Sequence, residues 1–291
     1  MFAVRSHATQ PPQRPDDLVE VVEREGSVQL PTLPGDFNVH YQPALDLRDG
    51  SMHTADAVLR WWHPVFGVLR PGPSLKGTGW AAEVQALETW TIHEVCRQAA
   101  AWVEAHPGLE LTVNPSPTRL LAPEFASTLA EALAAHDLDP CHVAVAVPLG
   151  AVALDPVALT RTMARISRLG ARVLLDGVGA GSTLSVIGEL DAPIWRIDVR
   201  PARRRERGLH PTAVEALERA RDLGATTVAA SVDDAATLTE AIDIGFDRAA
   251  GRVISPPVTA LAVQSLLRRR PVRRRASLFG PSGSASARAG R

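Results

Sequence analysis

Residues 36–64, DFNVHYQPALDLRDGSMHTADAVLRWWHP, carry the reading on which the rest of the chain turns. Two strand-like apolar runs, Phe37–Leu45 and Ala55–Trp62, flank a polar stretch that contains Gly50 and supplies a turn. Comparable runs recur downstream at Leu109–Asn114, His142–Val147, Arg172–Asp176, Trp195–Asp198, Thr226–Ala230 and Arg248–Val253. Helical patterns fall between them, at Ala82–Ala105, Pro123–His136, Pro156–Leu169, Pro211–Leu223 and Ala235–Ile244. Gly170 and Gly224 follow two of these helices as C-terminal stops, and Asp155-Pro156 supplies a cap and a first-turn proline. Strands alternating with helices imply repeated βα units around a parallel sheet. Eight strands favour a (β/α)8 barrel over an open doubly wound sheet, although periodicity alone leaves both open.

Composition sets the outer bounds. The 291 residues, 45% of them hydrophobic, are enough for one large domain with a full core. No run of 18 or more apolar residues suits a membrane span, and the first 17 residues lack the apolar centre of a signal peptide. Cys96 and Cys141 give neither a disulfide framework nor a zinc spacing and read as core thiols, so a cytoplasmic location is expected. Residues 268–291 hold eight Arg and no acid; setting these aside from the net charge of −1 leaves −9 for the rest. That end reads as a disordered, solvated tail, and residues 1–34 as a polar, proline-rich extension, leaving 35–267 as the folded domain. A basic tail can attract nucleic acid, an anionic membrane or the acidic body itself, and a nucleic-acid role is the less expected use.

Tyr41-Gln42-Pro43, Gly50, Arg60-Trp61 and His63-Pro64, in that order, resemble the opening of EAL domains, bacterial phosphodiesterases that linearise cyclic di-GMP. The resemblance runs over about residues 36–266 and implies a modified (β/α)8 barrel of TIM type with one strand reversed. It also implies an active site where the strands' C-terminal ends meet the loops. Hydrolysis of a phosphodiester there needs divalent metals, which take oxygen ligands.

Position by position, much of that chemistry is replaced. The metal-ligating Glu of Glu-Ala-Leu is Asp56, which keeps a carboxylate on an arm one methylene shorter. Asn114 in Val113-Asn114-Pro115-Ser116 matches the family's Asn-x-Ser, and Asp176 matches the first acid of Asp-Asp-Phe-Gly-Thr-Gly. The second acid of that motif is Gly177. In register with Asp155-Pro156, the two glutamates of Leu-Glu-Ile-Thr-Glu become Ala146 and Leu149. The Lys of Lys-Ile-Asp is Arg196, the Glu of Ala-Glu-Gly-Val-Glu is Ala230, and the Gln of Asp-x-x-Gln-Gly is Ala250.

The resemblance therefore implies a pseudoenzyme with no required cofactor. Asp56, Asn114 and Asp176 remain for weak Mg²⁺ or Mn²⁺ binding, and Gln42 and Arg60 remain for cyclic di-GMP. A protein partner or a homodimer is the other route of action the family allows. The alternative is weak hydrolysis through one metal on Asp56, Asn114 and Asp176, a reading that gains if an acid such as Asp198 or Asp233 swings towards Ala146 and Ala230. The bland readings of the remaining features are a solvated charged loop for Arg200–Arg207, inherited loop geometry for Gly177, Gly179 and Gly181, and structural roles for His53 and His63. Trp61, Trp62 and Trp80 read as core or rim packing.

Overall fold

The computed structural model describes residues 22–24, 27–30, 32–71, 79–179, 190–200 and 211–267. The opening quoted above folds as an antiparallel hairpin of β3 (Leu33–Asp46) and β4 (Thr54–His63), paired from Asp36↔Trp62 to Ala44↔Thr54. From β4 the sheet continues parallel through β6 (Glu110–Val113), β7 (Val143–Pro148), β8 (Arg172–Val178), β9 (Ile194–Asp198), β10 (Thr226–Ala230) and β11 (Arg248–Ala249). β11 then pairs antiparallel with β3, closing an eight-stranded barrel in which β3 alone runs against its neighbours.

Parallel neighbours need crossovers, and helices supply them. α1 (Ala81–Val103) follows the hairpin and buries Leu87, Trp90, Ile92, Val95, Ala99 and Trp102. The short α2 (Pro117–Leu121) follows β6, with the Ser116 hydroxyl accepting from the Arg119 N–H at its start. After it come α3 (Phe125–Ala135), α4 (Gly150–Leu154), α5 (Pro156–Leu169), α6 (Pro211–Asp222), α7 (Ala235–Asp243) and α8 (Ala260–Leu267). The Asp155 carboxylate caps α5 at the Ala158 N–H, and Gly170, at φ 92, ends it in the left-handed conformation. No helix among the described residues is long and apolar enough to cross a membrane.

Four expectations need correcting. Cys141, expected as a core thiol, is exposed, whereas Cys96 is buried. Ser27–Leu30 and Leu33–Pro34 belong to the sheet, because β2 (Ser27–Leu30) pairs with β3 and buries Val28 and Leu30; the flanking prolines hid this alternation. β1 (Val22–Arg24) pairs in turn with β2. The strand expected over Arg248–Val253 ends at Ala249, because the chain turns at Gly251 against the backbone of Val232. A Cβ there would lie 2.0 Å from the Val232 carbonyl oxygen. The helix expected over Pro123–His136 starts at Phe125, since Pro123 holds Ala122 extended. The tail 268–291, residues 201–207 and Gly181 lie outside the described residues.

The core has two parts. Most of it lies between sheet and helices, where Trp195, Leu111 and Ile197 point outward from their strands. The smaller part fills the barrel with Ala44, Ala144, Ala146, Leu174, Ile194, Val228 and Ala250. At the N-terminal strand ends Glu110 holds Arg172 at 2.9 Å and Arg248 at 3.5 Å. At the C-terminal ends sits a second ionic cluster, the candidate site.

Candidate functional site

β9 alternates: Trp195 and Ile197 are fully buried against the helices, so Ile194 and Arg196 point into the barrel. Arg196 stands in register with Asp176 on β8 and with Val228 on β10. Its guanidinium then reaches three partners. Nε donates to Asp176 Oδ1 at 2.7 Å, Nη1 pairs with Asp56 Oδ1 at 2.5 Å, and Nη2 donates to Asn114 Oδ1 at 2.8 Å. Asn114 is itself oriented by its Nδ2, which donates to the Ala57 carbonyl at 2.9 Å. Burial alone would lower the Arg196 pKa, but Asp56 and Asp176 outweigh that and hold it above the usual guanidinium value.

All three expected metal ligands are thus brought together, around an arginine. Ala146 and Ala250 are buried in the apolar filling directly within the barrel. Ala230 ends β10, and its carbonyl accepts from the Val199 N–H. Gly177 adopts φ 79 beside an irregularity in the β8–β9 register. That is the left-handed region, which a residue with a Cβ enters only at a cost. The two loop acids that would favour the hydrolytic alternative are engaged elsewhere: Asp198 with Arg200, and Asp233 with Arg252 at 2.8 Å.

Divalent metals in such a site take oxygen ligands. The oxygen donors converge as that chemistry requires, but Asp56, Asn114 and Asp176 each already accept from Arg196. No group of three His, Cys, Asp or Glu side chains suited to a metal forms among the described residues. The residues present do not fit a metal ion beside this guanidinium, contrary to the weak Mg²⁺ or Mn²⁺ site expected from the sequence.

Above the cluster opens a cavity of about 400 Å³, within the range of small-ligand sites. Gln42, Asp56, Arg60, Arg70, Asn114 and Arg196 line its polar side; Val84, Leu87, Ile92 and Val113 line its apolar side. A larger cavity of about 570 Å³ lies by the β3–β4 turn and α8, away from these side chains. Gln42 Nε2 donates to the Ser255 carbonyl at 3.2 Å, tying β3 to the segment after β11. Among the described residues, Arg60 donates to the carbonyl of its neighbour Leu59, at 3.1 Å. Burial, and then the charge of Arg70, hold the Arg60 pKa below its usual value.

Arg70 and Glu88 are cavity residues that the sequence reading missed. Arg70 follows a three-residue strand, β5 (Gly67–Leu69), with no motif to mark it. Glu88 on α1 accepts from the Ser116 N–H at 2.9 Å, fixing the loop beside Asn114. Trp61 packs as expected, stacked 5.3 Å from Phe37, and its Nε1 donates to the Pro34 carbonyl. His63 Nδ1 accepts from the N–H groups of Val65 and Phe66, a structural role.

A family model described as EAL domain matches residues 29–257. A bifunctional diguanylate cyclase/cyclic di-GMP phosphodiesterase, MucR of Pseudomonas aeruginosa, is 28% identical over 162 residues, 55% of this chain and 24% of that protein. An uncharacterized protein of Mycobacterium tuberculosis is 29% identical over 164 residues, 54% of this chain and 26% of that protein. The matched stretch is thus about a quarter of the length of these relatives. Among solved structures, the PaMucR phosphodiesterase in complex with c-di-GMP aligns with a TM-score of 0.70 at 24% identity, covering 78% of this chain and 94% of that one. The FimX EAL domain of Pseudomonas aeruginosa bound to c-di-GMP aligns with a TM-score of 0.66 at 18% identity, covering 79% and 92%. At these identities the structural likeness speaks for the fold alone.

Proposed function

Because the chain belongs to the EAL domain family, we propose that it is a catalytically degenerate EAL domain acting as a regulatory module in cyclic di-GMP signalling. The nucleotide is taken in the 400 Å³ cavity and is not turned over. One observation carries this reading: the three oxygen donors left for a metal are all engaged by Arg196. Two-metal hydrolysis needs both ions to activate water and to neutralise charge on the phosphoryl oxygens. With Ala146, Ala230 and Ala250 at the other positions, no side chain among the described residues offers a second set of ligands.

Binding asks less of the site than hydrolysis. A cyclic dinucleotide presents two phosphate charges and two bases. Arg60 provides planar paired donors for a phosphate oxygen, and Arg70 adds a second positive charge to the same cavity. Gln42 lines the same cavity, and the apolar residues of α1 offer a surface for a base. Calorimetry with cyclic di-GMP, with product analysis on the same samples, tests the reading. Binding that survives EDTA, gives no linear product and weakens at least about tenfold in Arg60→Ala is the expected result. Accumulation of linear product would overturn it.

A second reading has the domain work through a protein partner or a second copy of itself. The turn between β4 and β5 favours it, since Val65 and Phe66 are 77% and 71% exposed beside half-exposed Trp62 and Val68. Absence of nucleotide binding at high micromolar concentration would leave this reading in place of the first.

A further inference from the structure

We propose that the Arg196 guanidinium is a built-in substitute for the divalent cation of this barrel, so that a metal site exists in the chain but opens only when that side chain is shortened. The inference concerns the cation and holds whatever ligand the cavity takes.

The geometry has the features of a coordination site with its ion replaced. Three oxygen atoms from β4, from the residue just after β6 and from β8 converge on one positive group at 2.5, 2.8 and 2.7 Å. Asn114, which has no charge to satisfy, turns its carbonyl oxygen towards the guanidinium while its Nδ2 bonds the Ala57 carbonyl. That orientation suits a cation and would suit a metal equally. The Arg196 side chain is 10% exposed, and Asp56 is 16% exposed, so bulk water does little to screen them.

Charge points the same way. Asp56 and Asp176 carry two negative charges against one on Arg196, which leaves the cluster one charge short of neutral. Arg60 and Arg70 then add positive charge across the cavity. A divalent ion in addition to Arg196 would turn the site strongly positive. Below the cluster, Ala146 and Ala250 contribute only methyl groups, and Glu110, which shares a small internal cavity with Asp56 and Arg196, is already paired with Arg172 and Arg248. Lysine would not do the same work. Its ammonium is a single point charge, whereas the guanidinium is a planar fork that spans separate acceptors.

The test uses the full chain as wild type, Arg196→Ala and Arg196→Lys, each titrated with MnCl2. Bound Mn²⁺ is read by electron paramagnetic resonance, and Tm is compared in MnCl2 and in EDTA. The wild type should bind no Mn²⁺ below about millimolar concentration and should show the same Tm in both buffers. Arg196→Ala should bind one Mn²⁺, and at tenfold its Kd should gain at least about 3 °C in Tm relative to EDTA. Adding Asp176→Asn to that variant should weaken the binding at least about tenfold. If Arg196→Ala does not fold without metal, Arg196→Lys decides: its ammonium cannot bridge all three acceptors, and Mn²⁺ binding should appear there too. Micromolar Mn²⁺ binding by the wild type would overturn both this inference and the degenerate-site reading. Failure of both variants to bind Mn²⁺ would overturn this inference alone.

Discussion

Asp56 and Arg196 stand on strands diametrically opposed in the barrel, β4 and β9, and meet across its mouth at 2.5 Å. Four strand steps separate them either way round the sheet, so only a long side chain reaching across the interior can join them. Asp176 and Asn114 fill in along one arc of that circle. The result is a polar lid over an interior filled by alanine, leucine, isoleucine and valine. A buried ion pair of this kind is a weak source of net stability while intact but costly to break, because the surviving partner stays desolvated.

Removing one partner should therefore show in equilibrium unfolding. Asp56→Ala should cost about 3 kcal/mol, the low end for a buried pair because the mouth is partly open to solvent. Asp176→Ala should cost less, since that carboxylate is 35% exposed against 16% for Asp56. Denaturant titrations of the two variants give the comparison, and an equal or inverted ranking would count against this account.

Reinstating one acid should not restore hydrolysis. Ala146→Glu would place a carboxylate in the apolar filling beside Ala44 and Ala250, while the Arg196 guanidinium stays bound to its three acceptors at the barrel mouth. The variant should lose more than about 3 kcal/mol of stability and release no linear product from cyclic di-GMP with Mn²⁺ present. Chromatography of overnight reactions checks the second point.

Arg70 tests the electrostatic side of the cavity. Its charge helps hold the Arg60 pKa below the usual value, so the two guanidinium groups feel one another. Arg70→Ala should weaken cyclic di-GMP binding by about three- to tenfold at low salt and by less at about 0.5 M salt, where screening shortens the reach of exposed charge. An effect independent of salt would mean that Arg70 acts by contact or by shape.

His40 predicts a pH dependence of folding. Burial, and then the neighbouring Arg60, lower its pKa from 6.5, with partial compensation from the Pro257 carbonyl. As pH falls, the unfolded chain takes up this proton before the folded one does. Stability is therefore complete above about pH 6.5 and declines as pH drops through the folded-state pKa. Between about pH 7 and 5, the Tm of the wild type should fall more than that of His40→Asn.

Gly177 offers a purely conformational test. Among the described residues nothing lies within 4 Å of where its Cβ would stand, and its φ is 79. Gly177→Ala should cost about 1 kcal/mol through the left-handed backbone alone. A much larger loss would reveal a packing constraint that this open space does not suggest.

The barrel was legible in the sequence because its causes are local. The apolar runs at Phe37–Leu45, Ala55–Trp62 and Thr226–Ala230 match strands to within a few residues, and Asp155-Pro156 with Gly170 bounds α5. Errors arose where a distant contact ends or begins an element. Gly251 leaves the sheet because of the Val232 backbone, and Ser27–Leu30 joins it because β3 extends far enough to pair with it.

The site divides along the same line. Which residue types stand at these positions, with oxygen-bearing side chains at Asp56, Asn114 and Asp176 and none at Ala146, Gly177, Ala230 and Ala250, follows from the order of amino acids alone. The sequence also placed an arginine at position 196, where it read only as the loss of a lysine. Only closure of the barrel decided what that arginine does. Closure brings residues from positions 56, 114, 176 and 196 within hydrogen-bonding distance and removes the water that would otherwise solvate their charges. In that setting the arginine's one charge and forked donors are held by three oxygens at once, a relationship between distant strands that no local pattern encodes.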